Sequence, residues 1–170
     1  MFVEALNTEP IPLVFLWELA FEPHTFSWGR FYHTMRYMTD EKTIFERIIL
    51  GEIPSVKVYE DDICIGIMDK FPLLKGQALI IPKKPIDYAF DLDDETYLHS
   101  LAVAKKIAKA IDVVLSPLRT CLVIEGFEVP HAHIKLYPTV EPKLIPSSGP
   151  EATFEELESV AAQIREALEK

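Results

Sequence analysis

The chain has 170 residues, of which 49% are hydrophobic and 26% are charged, as is typical of a soluble globular domain with a buried core. Its formal net charge at pH 7 is −10, and its longest basic runs are the pairs Lys83-Lys84 and Lys105-Lys106. This balance argues against a protein that binds nucleic acid, which needs a basic face, but it allows a small anionic ligand that needs only a few donors.

Three features of the sequence favour a cytoplasmic protein without a membrane anchor. The apolar segment 12–21 is interrupted by a glutamate and is too short to cross a bilayer. The residues before it include Glu4 and Glu9 and no basic residue, whereas a secretory signal begins with positive charge. Cys64 and Cys121 have no CxxC neighbour, which favours two free thiols and leaves a disulfide between them open.

Residues 1–37 differ in composition from the rest of the chain. They contain both tryptophans and five of the ten phenylalanines, and they show no sustained period of 2 or 3.6. Two interpretations are open. Either translation starts at Met38 (or Met35) and the segment is an upstream extension, or the segment is an aromatic arm that packs on the domain or on a partner. An intact Met1 in the mass of the native protein would rule out the first.

Helices and strands are predicted after residue 37. A helix capped by Asp40 and stopped by Gly51 comes first. A period of 2 then predicts three strands, and two more follow a long helix; their sequences are SVKVYEDD, ICIGIMD, GQALIIPKK, RTCLVIEG and HAHIKLYP. The long helix runs from its cap, Asp93, to about Val114. Its expected inward stripe consists of Leu98, Leu101, Ala104, Ile107, Ile111 and Val114.

A second amphipathic helix is predicted at the C-terminus. It follows a linker rich in proline and begins with Thr153 and Glu156, which have the spacing of a capping box. The order of elements predicts an α+β fold, with a mostly antiparallel sheet of about five strands, a long central helix and a C-terminal helix. We divide the chain into an N-terminal extension (1–37), a central domain (38–140), and the linker with the C-terminal helix (141–170).

The stretch HAHIKLYP contains the residues best suited to chemistry. Alternation along a strand puts His131, His133 and Lys135 on one face, where two imidazoles and an ammonium can offer a nucleophile and donors to an anionic oxygen. A solvated polar strand face is one alternative. A shared metal ion is another, but zinc would want more ligands, and none of the other histidines is obviously placed to supply one; these are His24, His33 and His99. We predict no metal site.

Several ordered motifs from about Thr43 to Pro138 resemble the histidine triad (HIT) superfamily of nucleotide hydrolases and transferases. The stretch IMDKFPLLKGQALIIPKK follows the family's Asp-x-x-Pro-x-x-x-Gly-x-x-Leu-x-x-Pro-Lys pattern, and FDLDDETYLHSLAVAKKIAKAI follows its central helix. The stretch HAHIKLYP lies where the signature His-φ-His-φ-His-φ-φ belongs, φ being apolar. The resemblance implies a HIT-like fold, a nucleotide or nucleotide conjugate as ligand, a homodimer and no cofactor.

The resemblance also implies roles for individual residues. His133, the middle signature histidine, would attack the α-phosphorus of a nucleoside phosphoramidate or dinucleoside polyphosphate and form a nucleotidyl-histidine intermediate. His131 would orient it. Asp69 would bind the ribose hydroxyls, since two acceptor oxygens suit a diol. Ile48 and Ile53 would line the pocket for the base.

Lys135 is the main departure from the family pattern. It occupies the third signature position, where hydrolases of the family usually have histidine and transferases have glutamine. An ammonium has three donors and no acceptor, so it can stabilise charge on a phosphoryl oxygen. It cannot shuttle a proton near neutral pH unless burial lowers its pKa.

Other polar positions of the family also differ. Gln77, which we include in the nucleotide site, follows the motif glycine where a histidine is frequent, and Ile124 replaces an asparagine. Glu128 stands in a shortened loop that often contacts phosphate in the family. The zinc-binding Cys-x-x-Cys of some members corresponds to residues 43–46, without cysteine, and its accompanying histidine corresponds to Pro85, so the resemblance implies no structural zinc.

Three functions are therefore compatible with the sequence. The first is a HIT-type hydrolase or nucleotidyl transferase with His133 as nucleophile. The second is a nucleotide-binding module whose turnover is weakened by Lys135, Ile124 and Glu128. The third is an interaction protein that contacts a partner through residues 1–37 and the C-terminal helix.

Overall fold

In the part of the chain that the computed structural model describes, the first helix, α1 (Ile44–Ile49), has Thr43 as its N-cap. The structure describes residues 42–143 and 147–169, so the predicted cap Asp40 and the extension 1–37 lie outside the described residues. The Thr43 hydroxyl accepts a hydrogen bond from the Glu46 amide, and the Glu46 carboxylate accepts one from the Thr43 amide. This capping box explains why the helix begins at Ile44.

Five antiparallel strands form one sheet in the spatial order β1-β2-β3-β5-β4. The strands are β1 (Lys57–Glu60), β2 (Cys64–Met68), β3 (Ala78–Pro82), β4 (Arg119–Glu125) and β5 (His133–Thr139). A short 3₁₀ helix (Ala89–Asp91) and the long helix α2 (Asp94–Leu115) connect β3 to β4, and α3 (Phe154–Leu168) ends the chain. The predicted α+β fold is confirmed. His131 lies just before β5, however, and not within the strand as predicted.

The two faces of the sheet bury different clusters. One face packs on α2 and α3, whose residues Ala104, Ile107 and Ile164 are fully buried, and the other face packs on α1. Gly66 of β2 allows α2 to lie close, because a Cβ atom there would come within 2.7 Å of the Ile107 Cδ1 atom. The predicted inward stripe of α2 is wrong at one end, since Leu98 is 62% exposed.

The C-terminal helix belongs to the main core of the domain. Its residues Leu157, Val160, Ala161 and Ile164 are buried in the same cluster as residues of α2. This apolar face is therefore occupied within the chain, which argues against its use as a docking surface for a partner. None of the described helices combines the length and the apolar run that a membrane span requires.

Candidate functional site

The polar row of β5 lies on the same face of the sheet as α1. His133 and Lys135 are 3% and 6% exposed, and Ile134 and Leu136 between and beyond them pack into the opposite core. Glu125 of β4 is directly opposite His133 in the strand register. Because both polar side chains are buried, the row is not a solvated strand face, and each polar atom on it needs a partner.

His131 is fixed by two contacts with neighbouring elements. Its Nε2 atom lies 2.8 Å from the carbonyl oxygen of Pro82, and its Nδ1 atom lies 3.3 Å from the Thr43 hydroxyl. A carbonyl oxygen only accepts, so Nε2 carries the ring proton and Nδ1 accepts from the hydroxyl. His131 thereby joins the start of α1 to the end of β3.

His133 has the opposite tautomer. Its Nδ1 atom lies 2.8 Å from the carbonyl oxygen of His131 and must donate to it, which leaves Nε2 with a free lone pair. The Phe45 ring packs edge-on against both imidazoles, with centroid distances of 4.9 Å to His133 and 5.9 Å to His131. His131 therefore orients His133 through its main-chain carbonyl, and the nitrogen that can act as a nucleophile is Nε2.

Both imidazoles are held in the neutral form. Burial lowers the pKa of His131 and of His133, and their hydrogen bonds to carbonyl oxygens oppose this effect only in part. The positive charge of Lys135 lowers the pKa of His133 further. A neutral imidazole keeps a lone pair on the nitrogen that carries no proton, so His133 Nε2 can act as an acceptor or a nucleophile at neutral pH.

The lowered pKa values predict that acid destabilises the fold. The unfolded chain binds protons at these two histidines below about pH 6.5, before the folded chain does, so the free energy of unfolding should fall as the pH drops from there. Urea denaturation at neutral and mildly acidic pH measures this loss. The variant His133→Asn should show a shallower dependence on pH, and equal slopes for the two proteins would contradict the assignment.

Lys135 is paired with a carboxylate that the sequence did not single out. Its Nζ atom lies 2.5 Å from Glu125 Oε1 and 3.9 Å from Glu128 Oε2. Burial acts to lower the pKa of Lys135, but the hydrogen bond to Glu125 together with the nearby Glu125, Tyr137 and Glu128 groups outweighs it, and the pKa is raised. Lys135 therefore stays protonated near neutral pH. It can stabilise negative charge, but it cannot act as a proton shuttle there.

The register between β4 and β5 explains why Glu125 occupies this place. Ile124 is paired with Ile134 and packs against the core on the other face, so its side chain does not face His133. The polar position in β4 is that of Glu125. Glu128, in the loop that follows, has a side chain that is 68% exposed.

Asp69 and Gln77, both included in the predicted nucleotide site, bind each other. Gln77 Nε2 donates to Asp69 Oδ2 at 2.5 Å, and Asp69 Oδ1 accepts from the Phe71 amide at 2.9 Å. Gln77 Oε1 accepts from the Leu73 amide at 2.9 Å. Each carboxylate oxygen can still accept a second hydrogen bond. Gln77 therefore positions Asp69 and the turn after β2.

Ile48 and Ile53, the expected wall of the base pocket, belong to the apolar cluster between α1 and the sheet. Ile48 is 7% exposed and packs with Phe45, whereas Ile53 is half-buried at the edge of the cluster. The cluster reaches His133 through Phe45, which contacts its ring. An apolar surface is thus placed beside His133.

Tyr137 continues the same face beyond Lys135, and its hydroxyl has no hydrogen-bond partner among the described residues. The side chain is fully buried, and burial raises the pKa of the phenol. A buried hydroxyl without a partner costs about 1–3 kcal/mol. We therefore expect Tyr137→Phe to raise the free energy of unfolding by about 1 kcal/mol.

Chemical denaturation of both proteins without ligand tests this expectation. Tyr59→Phe is the matched control, because the Tyr59 hydroxyl donates to Asp61 Oδ2 at 2.7 Å and its removal should destabilise the protein. A loss of stability in Tyr137→Phe equal to that of the control would show that its hydroxyl is bonded.

The fold and the site define an antiparallel α+β domain with a buried His-x-His pair at the start of β5. Residues 50–141 match the family model of the HIT domain. A protein of Borreliella burgdorferi described as an uncharacterized HIT-like protein is 36% identical over 102 residues, which are 56% of this chain and 73% of that protein. The chain belongs to the HIT domain family, and the resemblance drawn from its motifs is confirmed.

This chain is also similar to a relative with a named activity and to proteins with solved structures. The adenosine 5'-monophosphoramidase of Saccharomyces cerevisiae is 35% identical over 105 residues, which are 61% of this chain and 66% of that protein. A HIT-like protein of Bartonella henselae, described as involved in cell-cycle regulation, has 34% identity and a TM-score of 0.68, covering 75% of this chain and 97% of the other. A zinc-bound histidine triad family protein of Mycobacterium smegmatis has 26% identity and a TM-score of 0.64, covering 74% and 92%.

The family's zinc-binding motif does not fit this chain. Thr43 and Glu46 stand at the two cysteine positions, and their polar groups are used in the capping box of α1. Pro85, at the position of the accompanying histidine, has no side-chain donor atom. These positions therefore lack the thiolate and imidazole ligands that structural zinc prefers.

Proposed function

We propose that this protein cleaves a nucleoside phosphoramidate or a dinucleoside polyphosphate at its α-phosphate, through a nucleotidyl-His133 intermediate. The observation that carries the proposal is the tautomer of His133, whose Nδ1 donates to the His131 carbonyl, while Nε2 carries no proton and has no hydrogen-bond partner among the described residues. The named activity of the yeast relative supports it.

The proposed reaction has two displacements at phosphorus. His133 Nε2 attacks the α-phosphorus, and the bond to the leaving group breaks as the new nitrogen–phosphorus bond forms; a phosphate leaves as its anion, and an amine leaves with a proton taken from solvent. Water, or another acceptor, then attacks the same phosphorus and releases the nucleoside monophosphate and the imidazole. A proton from the attacking water balances the charge on the products. Covalent catalysis thus replaces one difficult step with two easier ones.

Neighbouring residues would bind the substrate around this nucleophile. Lys135 would stabilise charge on the phosphoryl oxygens, which is most of what phosphoryl-type transfer requires. Asp69, held by Gln77, would accept hydrogen bonds from the ribose hydroxyls. Ile48 and Ile53 would contact the base, through shape and apolar contact more than through its hydrogen-bonding groups.

Incubation with adenosine 5'-phosphoramidate and with a diadenosine polyphosphate tests the proposal. Chromatography should show release of adenosine monophosphate by the wild-type protein at a rate well above that of the same preparation of His133→Ala. Equal rates would mean that the wild type contributes no catalysis through His133.

A nucleotide-binding module with little turnover is the second candidate, and the charge balance around Lys135 favours it. Glu125 already neutralises the ammonium, and Glu128 adds a second carboxylate within 3.9 Å. A phosphate dianion must compete with both carboxylates for the Lys135 ammonium. Calorimetric titration with adenosine monophosphate separates the candidates, since a binder takes up the nucleotide without converting the phosphoramidate.

We further propose a homodimer in which the β4 edge and α2 meet their symmetry mates. β4 is the last strand of the sheet, and Leu122 on it is 45% exposed on the side of α2. Such an apolar edge is stabilised by self-complementary pairing. Light scattering should give twice the chain mass.

A cytoplasmic location and the division into residues 1–37, 38–140 and 141–170 stay predictions.

A further inference from the structure

A second group of polar side chains lies on the opposite face of the sheet from His133. Asp61 is in the turn between β1 and β2, Cys64 is the first residue of β2, and His99 is on α2. One donor atom from each side chain lies within 4.8 Å of the other two. The sequence suggested no metal role for Cys64 or His99, because they are 35 positions apart and only the packing of α2 on the sheet brings them together.

Asp61 is held in place by its own turn. Its Oδ1 atom accepts hydrogen bonds from the amides of Ile63 and Cys64, both at 2.8 Å. Its Oδ2 atom lies 2.6 Å from His99 Nε2 and 2.7 Å from the Tyr59 hydroxyl. The carboxylate therefore presents a fixed oxygen, Oδ2, to the His99 ring. The Tyr59 hydroxyl can still donate to this oxygen when an ion is bound. Outer hydrogen bonds of this kind orient the ligands of metal sites.

We propose that Asp61, Cys64 and His99 form a binding site for a divalent transition-metal ion of the zinc type. A carboxylate oxygen, an imidazole nitrogen and a thiolate sulfur are the donors that zinc takes. One carboxylate and one thiolate neutralise the two charges of the ion, and the imidazole adds none. A water molecule would complete four ligands.

The geometry requires only a small adjustment. Bonds of about 2.0–2.3 Å from a tetrahedral ion imply donor separations of roughly 3.3–3.7 Å. The three donor atoms now lie within 4.8 Å of one another, and Asp61 Oδ2 and His99 Nε2 are 2.6 Å apart. The Asp61–His99 pair would open by about 1 Å to admit the ion. The side chains of His99 and Asp61 are 34% and 25% exposed, so the ion can enter from the surface, whereas Cys64 is buried beneath them.

Binding of the ion would release or move the protons that its ligands Cys64 and His99 now carry. Cys64 would bind the ion as a thiolate, so the ion would take the place of the thiol proton. His99 Nε2 donates to Asp61 Oδ2 in the structure, so the proton on Nε2 would have to leave, or move to Nδ1, before that nitrogen binds the ion. The proton of the Cys64 thiol is released to solvent for each ion bound.

Cobalt(II) titration of the full chain, after removal of metals with a chelator, tests this site directly. The wild type should develop the near-ultraviolet absorption of a thiolate–cobalt bond together with visible d–d bands, and zinc should displace them. Cys121→Ser, which changes the other free cysteine, should keep both sets of bands. His133→Ala should keep them too, which excludes the histidine pair of β5 as the ligand.

Two variants of the cluster give the decisive comparison. Cys64→Ser should lose the thiolate–cobalt absorption, and His99→Gln, at a partly exposed position, should lower the affinity for cobalt by at least about 100-fold. Excess zinc should raise the melting temperature of the wild type and leave that of His99→Gln unchanged. Absence of the thiolate–cobalt absorption in the wild type, or its persistence in Cys64→Ser, would show that the cluster is only a hydrogen-bonded structural network.

Discussion

Replacing His133 with alanine should lower the turnover of a nucleoside phosphoramidate by about 10⁴-fold or more, because removing the nucleophile of a covalent mechanism removes the whole pathway. The remaining pocket should still bind adenosine monophosphate. Asp69 is held by Gln77 and by the Phe71 amide, and neither contact involves the imidazole, so the proposed ribose contacts should remain. Steady-state kinetics and calorimetric titration on the same preparation separate these two effects.

His131→Asn is the matched comparison for this variant. His131 acts on His133 through its main-chain carbonyl, which any residue at this position retains. We therefore expect a smaller loss of turnover than in His133→Ala, together with a loss of stability, since contacts with Pro82 and Thr43 are broken. A loss of turnover in His131→Asn as large as in His133→Ala would contradict this assignment of roles.

Replacing Lys135 with methionine should have the second largest effect, on stability and on turnover together. The substitution leaves Glu125 without its cation at a partly buried position, and we expect a loss of about 2 kcal/mol in the free energy of unfolding. Turnover should fall by about 100-fold, which is the usual effect of removing one donor that stabilises charge on phosphoryl or carbonyl oxygens.

The double variant Lys135→Met/Glu125→Met separates the two effects. It removes both partners of the ion pair, so the stability lost in Lys135→Met should return, while turnover should stay low because the cation is still missing. Denaturation curves and steady-state kinetics of the single and double variants measure this. Wild-type turnover in Lys135→Met would show that Lys135 takes no part in the reaction.

Lys135→His supplies the histidine that hydrolases of the HIT family usually have at this position. An imidazole can move a proton near neutral pH, whereas the paired ammonium cannot. A rise in turnover for this variant would show that the lysine had weakened a catalytic site. A fall would show that the site depends on a permanent positive charge.

The sequence predicted the fold because several local signals agreed with one another. Asp93 and the Thr153–Glu156 box cap α2 and α3 as expected, and the period of 2 located all five strands. Local signals were misleading at one residue of each of two helices. Thr43 rather than Asp40 caps the described α1, and Leu98, which fits the apolar period of α2, lies on its exposed side.

The site was harder to predict because it depends on contacts between distant strands. Alternation placed His133 and Lys135 on one face, but only the pairing of β4 with β5 shows that Glu125, and not Ile124, faces them. The bond between Gln77 and Asp69, and the group of Asp61, Cys64 and His99, likewise need the packed fold. Short-range periodicity contains no information about such register.

The most direct test of the central claim is to trap the covalent intermediate. The protein is mixed with excess adenosine 5'-phosphoramidate, quenched within one turnover under conditions that preserve the nitrogen–phosphorus bond, and its peptides are analysed by mass spectrometry. The account predicts one adenylyl group on the peptide that contains His133, absent from His133→Ala. Turnover without any adduct, or an adduct that persists on that peptide in His133→Ala, would contradict it.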